Sequence, residues 1–482
     1  MLFSSFEFLF FFLPVLIPLY YFVFRGSLTG QNVLLLIASL LFYAWGEPLF
    51  VFAMLACIVF NWGFGYLCLR ARGDGGDGSK FGKAAEKLLK PALILTIAAD
   101  LGLLIVFKYA TFITTNINNM LPVDIPIPQL ALPIGISFFI FQAVSYSVDV
   151  YRGKVIPQRR LYLVALYISL FPQLMAGPII RYSTIEKQLT DRKFNWDDFL
   201  SGFRRFIIGL GKKVIIADII ALAAEYAFVA DPITMSVTAA WLGAAAFGLQ
   251  IFFDFSGYSD MAIGLGKMFG FHFLENFNFP YISRSISEFW RRWHISLGAW
   301  FRDYVYFPMG GSQVKSKWRL VFNLFVVWAF TGLWHGAAWT FVFWGLFYFI
   351  LVAFEKVTGF DKWVERVPVV GNIYMLVCVL IGWVLFRADG GRHAIDYLLS
   401  MFGVHGNPMF GFDALRIGLE YYVTWIIGIV ACIPVSRKLM EHRLANRTPA
   451  VALRWVFAGF VFFLSLVIMN GSDAAPFIYF AF

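Results

Sequence analysis

The chain has 482 residues, of which 60% are hydrophobic and only 14% charged, and its mean hydropathy is +0.73. A soluble protein is about half apolar and about a quarter charged, so a string of soluble domains is excluded and a single polytopic, all-α membrane domain over residues 1–482 is predicted. The net charge of +10 belongs in cytoplasmic loops, and no nucleic-acid partner is expected.

Met1–Phe24 lacks a basic leader region and a small-residue cleavage site, so it reads as a first span and not as a signal peptide. Apolar runs follow at Phe6–Phe24, Val33–Trp45, Pro48–Leu69, Pro91–Phe112, Ile127–Val148, Leu161–Ile180, Phe203–Val229, Val237–Phe255, Leu320–Trp334, Ala338–Phe354, Ile373–Phe386, Tyr422–Val435 and Val451–Met469. Several are short or interrupted, so about 11 spans plus re-entrant or interfacial pieces are expected.

Lysine and arginine set the orientation. The basic loop at 70–90 reads cytoplasmic, around a flexible Gly73–Ser79 linker. Thr114–Gln129 has neither residue and reads as outside. The basic stretches at Arg152–Arg160 and Arg437–Arg447 read inside. Residues 470–482, aromatic and uncharged by Lys or Arg, read as a periplasmic tail, and the N-terminus also falls outside. Leu161–Ile180 carries Pro172, Gly177 and Pro178 and is followed by Arg181, Lys187, Arg192 and Lys193. Proline breaks the helical ladder; a re-entrant segment there keeps the basic flank inside. Irregular backbone at that depth needs protein or a cavity to cover it, which puts Phe171–Pro178 near a functional cavity.

The four cysteines, Cys57, Cys68, Cys378 and Cys432, lie in apolar runs with no metal spacing, and read as small buried hydrophobes. The six histidines offer no His-Glu-x-x-His pair, so no metal site is expected. His272, His393, His405 and His442 lie near loops or charges and read as ordinary.

Residues 252–336 carry the chemistry. They open with Asp254-Phe255-Ser256-Gly257-Tyr258-Ser259-Asp260 at the end of an apolar run and pass through the turn-rich Asn276–Tyr281. The block Arg284–Arg319 then holds seven basic and two acidic residues. On helical spacing Trp290, Trp293, Leu297 and Trp300 share a face, with Arg291, Arg292 and Ser296 on others. Two readings stand. One is a cationic aromatic vestibule, in which guanidinium groups hold phosphates of a donor; the other is a basic interfacial helix held on anionic lipid. No Walker or dinucleotide motif is present, and Gly264-Leu265-Gly266 is too weak to count.

His335 stands in Thr331-Gly332-Leu333-Trp334-His335-Gly336, between two apolar runs. An ionisable ring at membrane depth is costly and by default functional. The alternative is a hydrogen-bonded histidine between helices. His294, in Trp293-His294-Ile295, is a second candidate, with an orienting, substrate-binding or proton-transfer role.

At these residues the chain resembles the membrane-bound O-acyltransferases. The resemblance is carried by Ser287-Glu288-Phe289-Trp290-Arg291-Arg292-Trp293-His294, Arg302-Asp303-Tyr304-Val305-Tyr306-Phe307-Pro308 and Gly332-Leu333-Trp334-His335-Gly336. It extends to Met1–Ser5, Tyr43-Ala44-Trp45, Pro133–Phe138, Ala176–Ile179, Asp254–Asp260 and Pro476–Phe480, and so covers essentially the whole chain. Within the family the chain is most similar to the bacterial branch concerned with alginate O-acetylation and D-alanylation of teichoic acids.

The resemblance implies tilted helices around a funnel in the bacterial inner membrane, with His335 catalytic and His294 its partner. It implies donor or substrate contacts from Trp290, Arg291, Arg292, Trp293, Arg302, Asp303, Tyr304 and Trp334. The donor would be a cytoplasmic acyl thioester such as acetyl-CoA, with no resident cofactor. The acetyl group would leave on the periplasmic side, where a separate esterase-like O-acetyltransferase places it on an exported polysaccharide such as alginate. Chemically, neutral His335 serves as general base and an oxyanion needs donors nearby. Tyr479 is a candidate relay, acylated at its phenol; the alternative is that residues 470–482 pack on the membrane surface. Two other classes compete, a transporter or flippase of a lipid-linked intermediate and a scaffold for polysaccharide export. The first is disfavoured because no internal repeat accompanies the interrupted helices.

Overall fold

The computed structural model describes residues 1–72, 80–435, 448–471 and 477–478. The Gly73–Ser79 linker, Arg437, Lys438, His442, Arg443, Arg447 and Tyr479 lie outside the described residues. The protein is an all-α polytopic membrane protein. Among the described residues, seven helices are long and apolar enough to cross a membrane, or eight if the bent pair Phe412–Glu420 and Tyr422–Ala431 is one span. The chain forms two compact units, Met1–Phe203 with Ala262–Leu274, and Arg204–Met261 with Glu275–Phe482.

In the first unit the long helices are Leu28–Gly46, Val51–Arg72 and Glu86–Met120. The basic 70–90 stretch is less of a loop than its composition suggests: Arg70 and Arg72 end one helix and a helix is under way again from Lys80. The span read at Ile127–Val148 begins only at Ile136. Pro122, Pro126, Pro128 and Pro133 precede it, and each removes a backbone donor and resists the helical interior. Leu161–Ile180 breaks as its prolines demand. A helix over Leu161–Ser169 ends, Leu170 leaves helical geometry, and a single turn follows at Phe171–Leu174. Nine residues rise about 14 Å, half the hydrocarbon thickness. Protein covers the break: Ser39 Oγ accepts from the Phe171 N–H at 3.0 Å, and Gln173 Nε2 donates to the Tyr167 carbonyl at 2.5 Å.

This unit also holds a polar cluster that composition concealed. Asp100 is fully buried, and accepts from Asn61 Nδ2 at 2.9 and 3.1 Å and from Cys57 Sγ at 3.3 Å. Ser147 donates to Asn61 Oδ1 at 2.6 Å. Cys57 is therefore a hydrogen-bond donor inside a satisfied network, and more than a small hydrophobe.

The helix that begins at Val237 in the second unit runs on to Met268, well past the end read at Phe255. Asp254 and Asp260 had marked that end. Each instead finds a cation: Asp254 pairs with Lys213 at 3.0 Å, and Asp260 with Arg205 at 2.7 Å and Lys212 at 2.6 Å. Paired, a carboxylate can stay inside a helix that an isolated one would terminate. Further on, Lys317–His335 and Trp339–Thr358 cross at Gly332 and Gly345. A Cβ at Gly332 would lie 2.6 Å from the Phe341 carbonyl, and one at Gly345 2.6 Å from the Trp328 carbonyl. Only glycine allows that approach. The crossing sets where the helix carrying His335 ends.

Candidate active site

The site is built from two pieces of the second unit, the connecting stretch Glu275–Phe307 and the end of the helix Lys317–His335.

The first piece is not the continuous helix that tryptophan spacing predicts. Helix Ile286–Arg292 starts under two caps. Ser285 Oγ accepts from the Glu288 N–H at 3.1 Å, and the buried carboxylate of Glu355 accepts from the N–H groups of Ile286 and Ser287 at 2.7 and 2.8 Å. A carboxylate there satisfies orphan donors and meets the positive end of the helix dipole. The helix stops at Arg292, Trp293 is extended, and His294 takes φ 45° and ψ 54° before Ile295–Phe301 resumes. The shared face of Trp290, Trp293, Leu297 and Trp300 is thereby lost.

A left-handed histidine costs about 1–3 kcal/mol and persists only where its surroundings over-determine it. They do so here through residues 276–278. The Asn278 N–H donates to the Arg292 carbonyl and the Ile295 N–H to the Asn276 carbonyl, both at 2.9 Å. Asn276 Oδ1 accepts from Ser296 N–H at 3.2 Å and from Ser296 Oγ at 2.9 Å. His294 Nδ1 lies 3.2 Å from the same atom.

That geometry fixes a tautomer. The Ser296 N–H can only donate, so its partner is the amide oxygen and not the nitrogen. Against an oxygen, His294 Nδ1 carries the hydrogen and Nε2 keeps its lone pair. Nε2 is buried and has no hydrogen-bond partner among the described residues. Burial alone pulls the His294 pKa down to about 3, since the charged ring loses its water. The ring is neutral, 2% exposed, and basic at Nε2.

His335 is the last residue of its helix and 5% exposed. Its ring meets Trp344 at 4.8 Å, Trp334 at 5.0 Å and Phe386 at 5.2 Å, all close to edge-on. Trp334 also meets the His294 ring at 6.0 Å. One indole thus touches both candidate histidines, and sequence separation had concealed this.

The remaining predicted residues divide. Trp293 is packed among Phe277, Phe289 and Trp383 at 5.1, 5.5 and 4.9 Å. Trp290 packs on Trp328, Trp344 and Tyr348, the last also ringed by Trp344. Arg292 is tied to Glu288 at 2.9 Å and to the Asn278 carbonyl at 3.1 Å. Arg291 is exposed, 3.4 Å from Glu365, and Arg302 is exposed, 3.1 Å from Asp303. Tyr304 lies tilted against Trp300 at 5.2 Å. Of the arginines, Arg291 and Arg302 keep outward-facing guanidinium groups.

Three contributors were not among the predicted site residues: Asn276 and Phe255, which lie inside segments the sequence marked, and Glu355, which lies outside them. Phe255 meets the His294 ring edge-on at 4.6 Å and Phe477 at 5.4 Å. Phe477 is 2% exposed, and the Ile478 N–H donates to Asp254 Oδ2 at 2.7 Å. Residues 477–478 are therefore held in the protein interior and not laid on a membrane surface.

A family model for membrane-bound O-acyltransferases matches residues 160–387. A probable alginate O-acetylase AlgI of Pseudomonas putida is 41% identical over 83% of this chain and 80% of its own. Its counterpart in Pseudomonas aeruginosa is 43% identical over 83% of this chain and 75% of its own. A peptidoglycan O-acetyltransferase of Helicobacter pylori is 34% identical over 84% of this chain and 80% of its own. With two buried histidines in a multi-pass membrane protein, and relatives of this identity along most of its length, the chain belongs to the membrane-bound O-acyltransferase family and is an acyltransferase.

Proposed function

We propose that the chain moves an acetyl group from a cytoplasmic thioester, with acetyl-CoA as the donor, to the periplasmic face of the bacterial inner membrane for O-acetylation of an exported polysaccharide such as alginate. The observation that carries this reading is the junction at Trp334, where two buried imidazoles meet one indole ring. His335 is the general base and takes the proton of the attacking hydroxyl. His294, held at Nδ1 by Asn276, is its partner and lines the pocket in which that hydroxyl sits. The C–O bond forms, the C–S bond breaks, and the imidazolium returns its proton to the departing thiolate.

The oxyanion between these steps needs a donor aimed at it. The Trp344 indole N–H fills that role: it is buried, lacks an acceptor among the described residues, and its ring lies 4.8 Å from that of His335. Arg291 and Arg302, facing outward, hold the donor's phosphates as forked guanidinium groups do.

The acceptor in the membrane is the phenol of Tyr479. It becomes an aryl ester, and a periplasmic esterase-like partner then takes the acetyl group onto its own nucleophile and from there onto a sugar hydroxyl, restoring the phenol. The burial of Phe477 and the bond to Ile478 support this choice, because they bring the preceding residues to the ring that touches His294. The test is O-acetyl content of exported polysaccharide in cells carrying His335→Ala, with membrane protein abundance matched. Loss of acetylation with normal polymer export is expected. Retained acetylation would overturn the assignment of His335.

A further inference from the structure

The first unit holds a cleft of its own, lined by none of the residues proposed for acyl transfer. It lies where the end of the apolar helix Phe8–Val23 meets residues 192–198 and the turn at 267–270, and its volume out to the mouth is about 330 Å³. Clefts that hold small ligands run from about 300 to 1,000 Å³.

The cleft is cationic. Arg192, Lys193 and Lys267 line it against one carboxylate, Asp198, and that carboxylate already faces His272 Nε2 at 3.5 Å. Arg192 is fixed entirely by neutral groups. It donates from Nη1 to the Gln188 carbonyl at 2.8 Å, from Nη2 to Asn32 Oδ1 at 2.7 Å and from Nε to the Tyr20 hydroxyl at 3.3 Å. Its guanidinium also lies over the Phe271 ring at 4.2 Å. Asn32 is itself held, donating from Nδ2 to the Leu189 carbonyl at 2.8 Å. A guanidinium has five N–H donors; these bonds use one on each nitrogen, so each terminal nitrogen keeps a second. Among the described residues, no carboxylate forms an ion pair with Arg192, Lys193 or Lys267. The fold thus pins a guanidinium in place without neutralising it, and sets two ammonium groups beside it.

The rest of the lining selects the kind of anion. Tyr21 meets Phe194 edge-on at 4.8 Å and donates its hydroxyl to the Met268 carbonyl. Phe194 in turn meets Trp196 at 4.8 Å, and that indole is 64% exposed. At the end of the helix that carries Tyr20 and Tyr21, Phe22 is 77% and Val23 65% exposed. In a membrane protein such apolar side chains meet acyl chains, while tryptophan and tyrosine sit at headgroup level. A free anion satisfies the cationic wall alone; a molecule with a phosphate and a hydrocarbon tail satisfies the wall and the apolar face together.

We propose that this cleft binds the phosphodiester headgroup of an anionic phospholipid. Arg192, Lys193 and Lys267 hold the phosphate oxygens, and the acyl chains lie along the exposed face at Phe22 and Val23. A forked guanidinium suits a phosphate bidentately, and basic pockets between membrane helices are suited to such headgroups.

The test titrates the full chain in detergent, by native mass spectrometry, with dioleoyl phosphatidylglycerol, with dioleoyl phosphatidylcholine and with inorganic phosphate. Expected is one tight phosphatidylglycerol per chain, held at least about tenfold more tightly than phosphatidylcholine, because only the first carries a net charge for the cations to meet. Inorganic phosphate at equal concentration displaces none of it. A lysine beside an anionic headgroup is worth about a fivefold change in affinity. Lys193→Gln with Lys267→Gln is therefore expected to weaken phosphatidylglycerol about twentyfold to thirtyfold. Lys193 is exposed, so Lys193→Gln alone, with about a fivefold loss, keeps the test if the double substitution fails to fold. Lys87→Gln with Lys90→Gln removes the same charge from an exposed surface outside the cleft, and is expected to leave the affinity unchanged. Equal affinity for the two lipids, or cleft variants no weaker than this control, would overturn the site and leave only the general attraction of a basic protein for anionic lipid. Displacement of phosphatidylglycerol by inorganic phosphate would overturn the lipid as occupant and put a free phosphate in its place.

Discussion

Asn276 Oδ1 accepts from Nδ1 of His294 at 3.2 Å, and the direction of that bond leaves Nε2 as the basic nitrogen. Replacing Asn276 by Asp puts a carboxylate where the amide stood. A negative charge beside the ring favours the imidazolium and raises the His294 pKa from its buried value of about 3. The wild-type profile of kcat/KM is expected to show no ionisation from His294 between pH 5 and 8. Asn276→Asp is expected to bring one into that window, with activity falling on the acid side. A pH–rate series on both proteins checks this.

The same depressed value has a stability consequence. The folded pKa lies below the ordinary value of 6.5, so between the two the unfolded chain binds the proton more readily than the folded one. The contribution of His294 is then fully present above pH 6.5 and is lost as the pH falls toward 3. Substituting His294 by Gln removes that term, and the melting temperature of His294→Gln in detergent is expected to fall less steeply with acid than that of the wild type between pH 6.5 and 4.

Asp260 is hydrogen-bonded to Arg205 and Lys212 together, with its side chain 16% exposed. Asp260→Ala leaves two cations facing a site that was neutralised, although Arg205 retains Glu275 at 2.5 Å. Removing one partner of a largely buried pair costs about 3–5 kcal/mol; the exposed remainder and the surviving Glu275 place the expected loss at the lower end. Asp260→Asn, which keeps the acceptor oxygen, is expected to lose less. Thermal unfolding in detergent ranks the two.

How far the sequence could be read depended on how far apart the partners were. The break at Pro172 and the burial of His335 were legible because each signal is local, a proline in an apolar run and a charge-capable ring between two others. The helix end at Asp254–Asp260 was misplaced because the neutralising cations, Arg205, Lys212 and Lys213, lie 41 to 55 residues earlier in the chain. The interruption at Trp293–His294 was invisible because those residues are acceptable in a helix. What stops it is a turn at Asn276–Asn278 that competes for the same backbone groups. Asp100 was missed for the same reason, since its donors Asn61 and Cys57 sit on another helix.

Gly332 and Gly345 set the approach of the two helices on either side of His335. Gly332→Ala drives a methyl group against the Phe341 carbonyl and Gly345→Ala drives one against the Trp328 carbonyl. Overpacking of this kind costs about 1–3 kcal/mol. Because both act on one crossing, the double substitution is expected to cost less than the sum of the singles. His335 lies three residues beyond Gly332, so if it is the general base proposed above, each single is also expected to lower acyl transfer at least about tenfold, in keeping with the penalty for a misplaced catalytic group.

The arginines divide by exposure and by what they are bonded to. Arg292 is bonded to Glu288 and to the Asn278 carbonyl, and so supports the turn that strains His294. Arg291 and Arg302 are exposed, each with one carboxylate neighbour at 3.4 and 3.1 Å, and exposed pairs contribute about 0–1 kcal/mol. Arg291→Ala and Arg302→Ala are therefore expected to leave the melting temperature nearly unchanged. If these groups hold the donor's phosphates, each substitution raises KM for acetyl-CoA about tenfold and leaves kcat alone, the signature of binding shared by ground and transition states. Arg292→Ala should show the converse, a lower melting temperature and a lower kcat, because it loosens His294. A KM for acetyl-CoA that is indifferent to both exposed arginines would remove them from the donor site and favour the reading of this block as a lipid-facing basic surface.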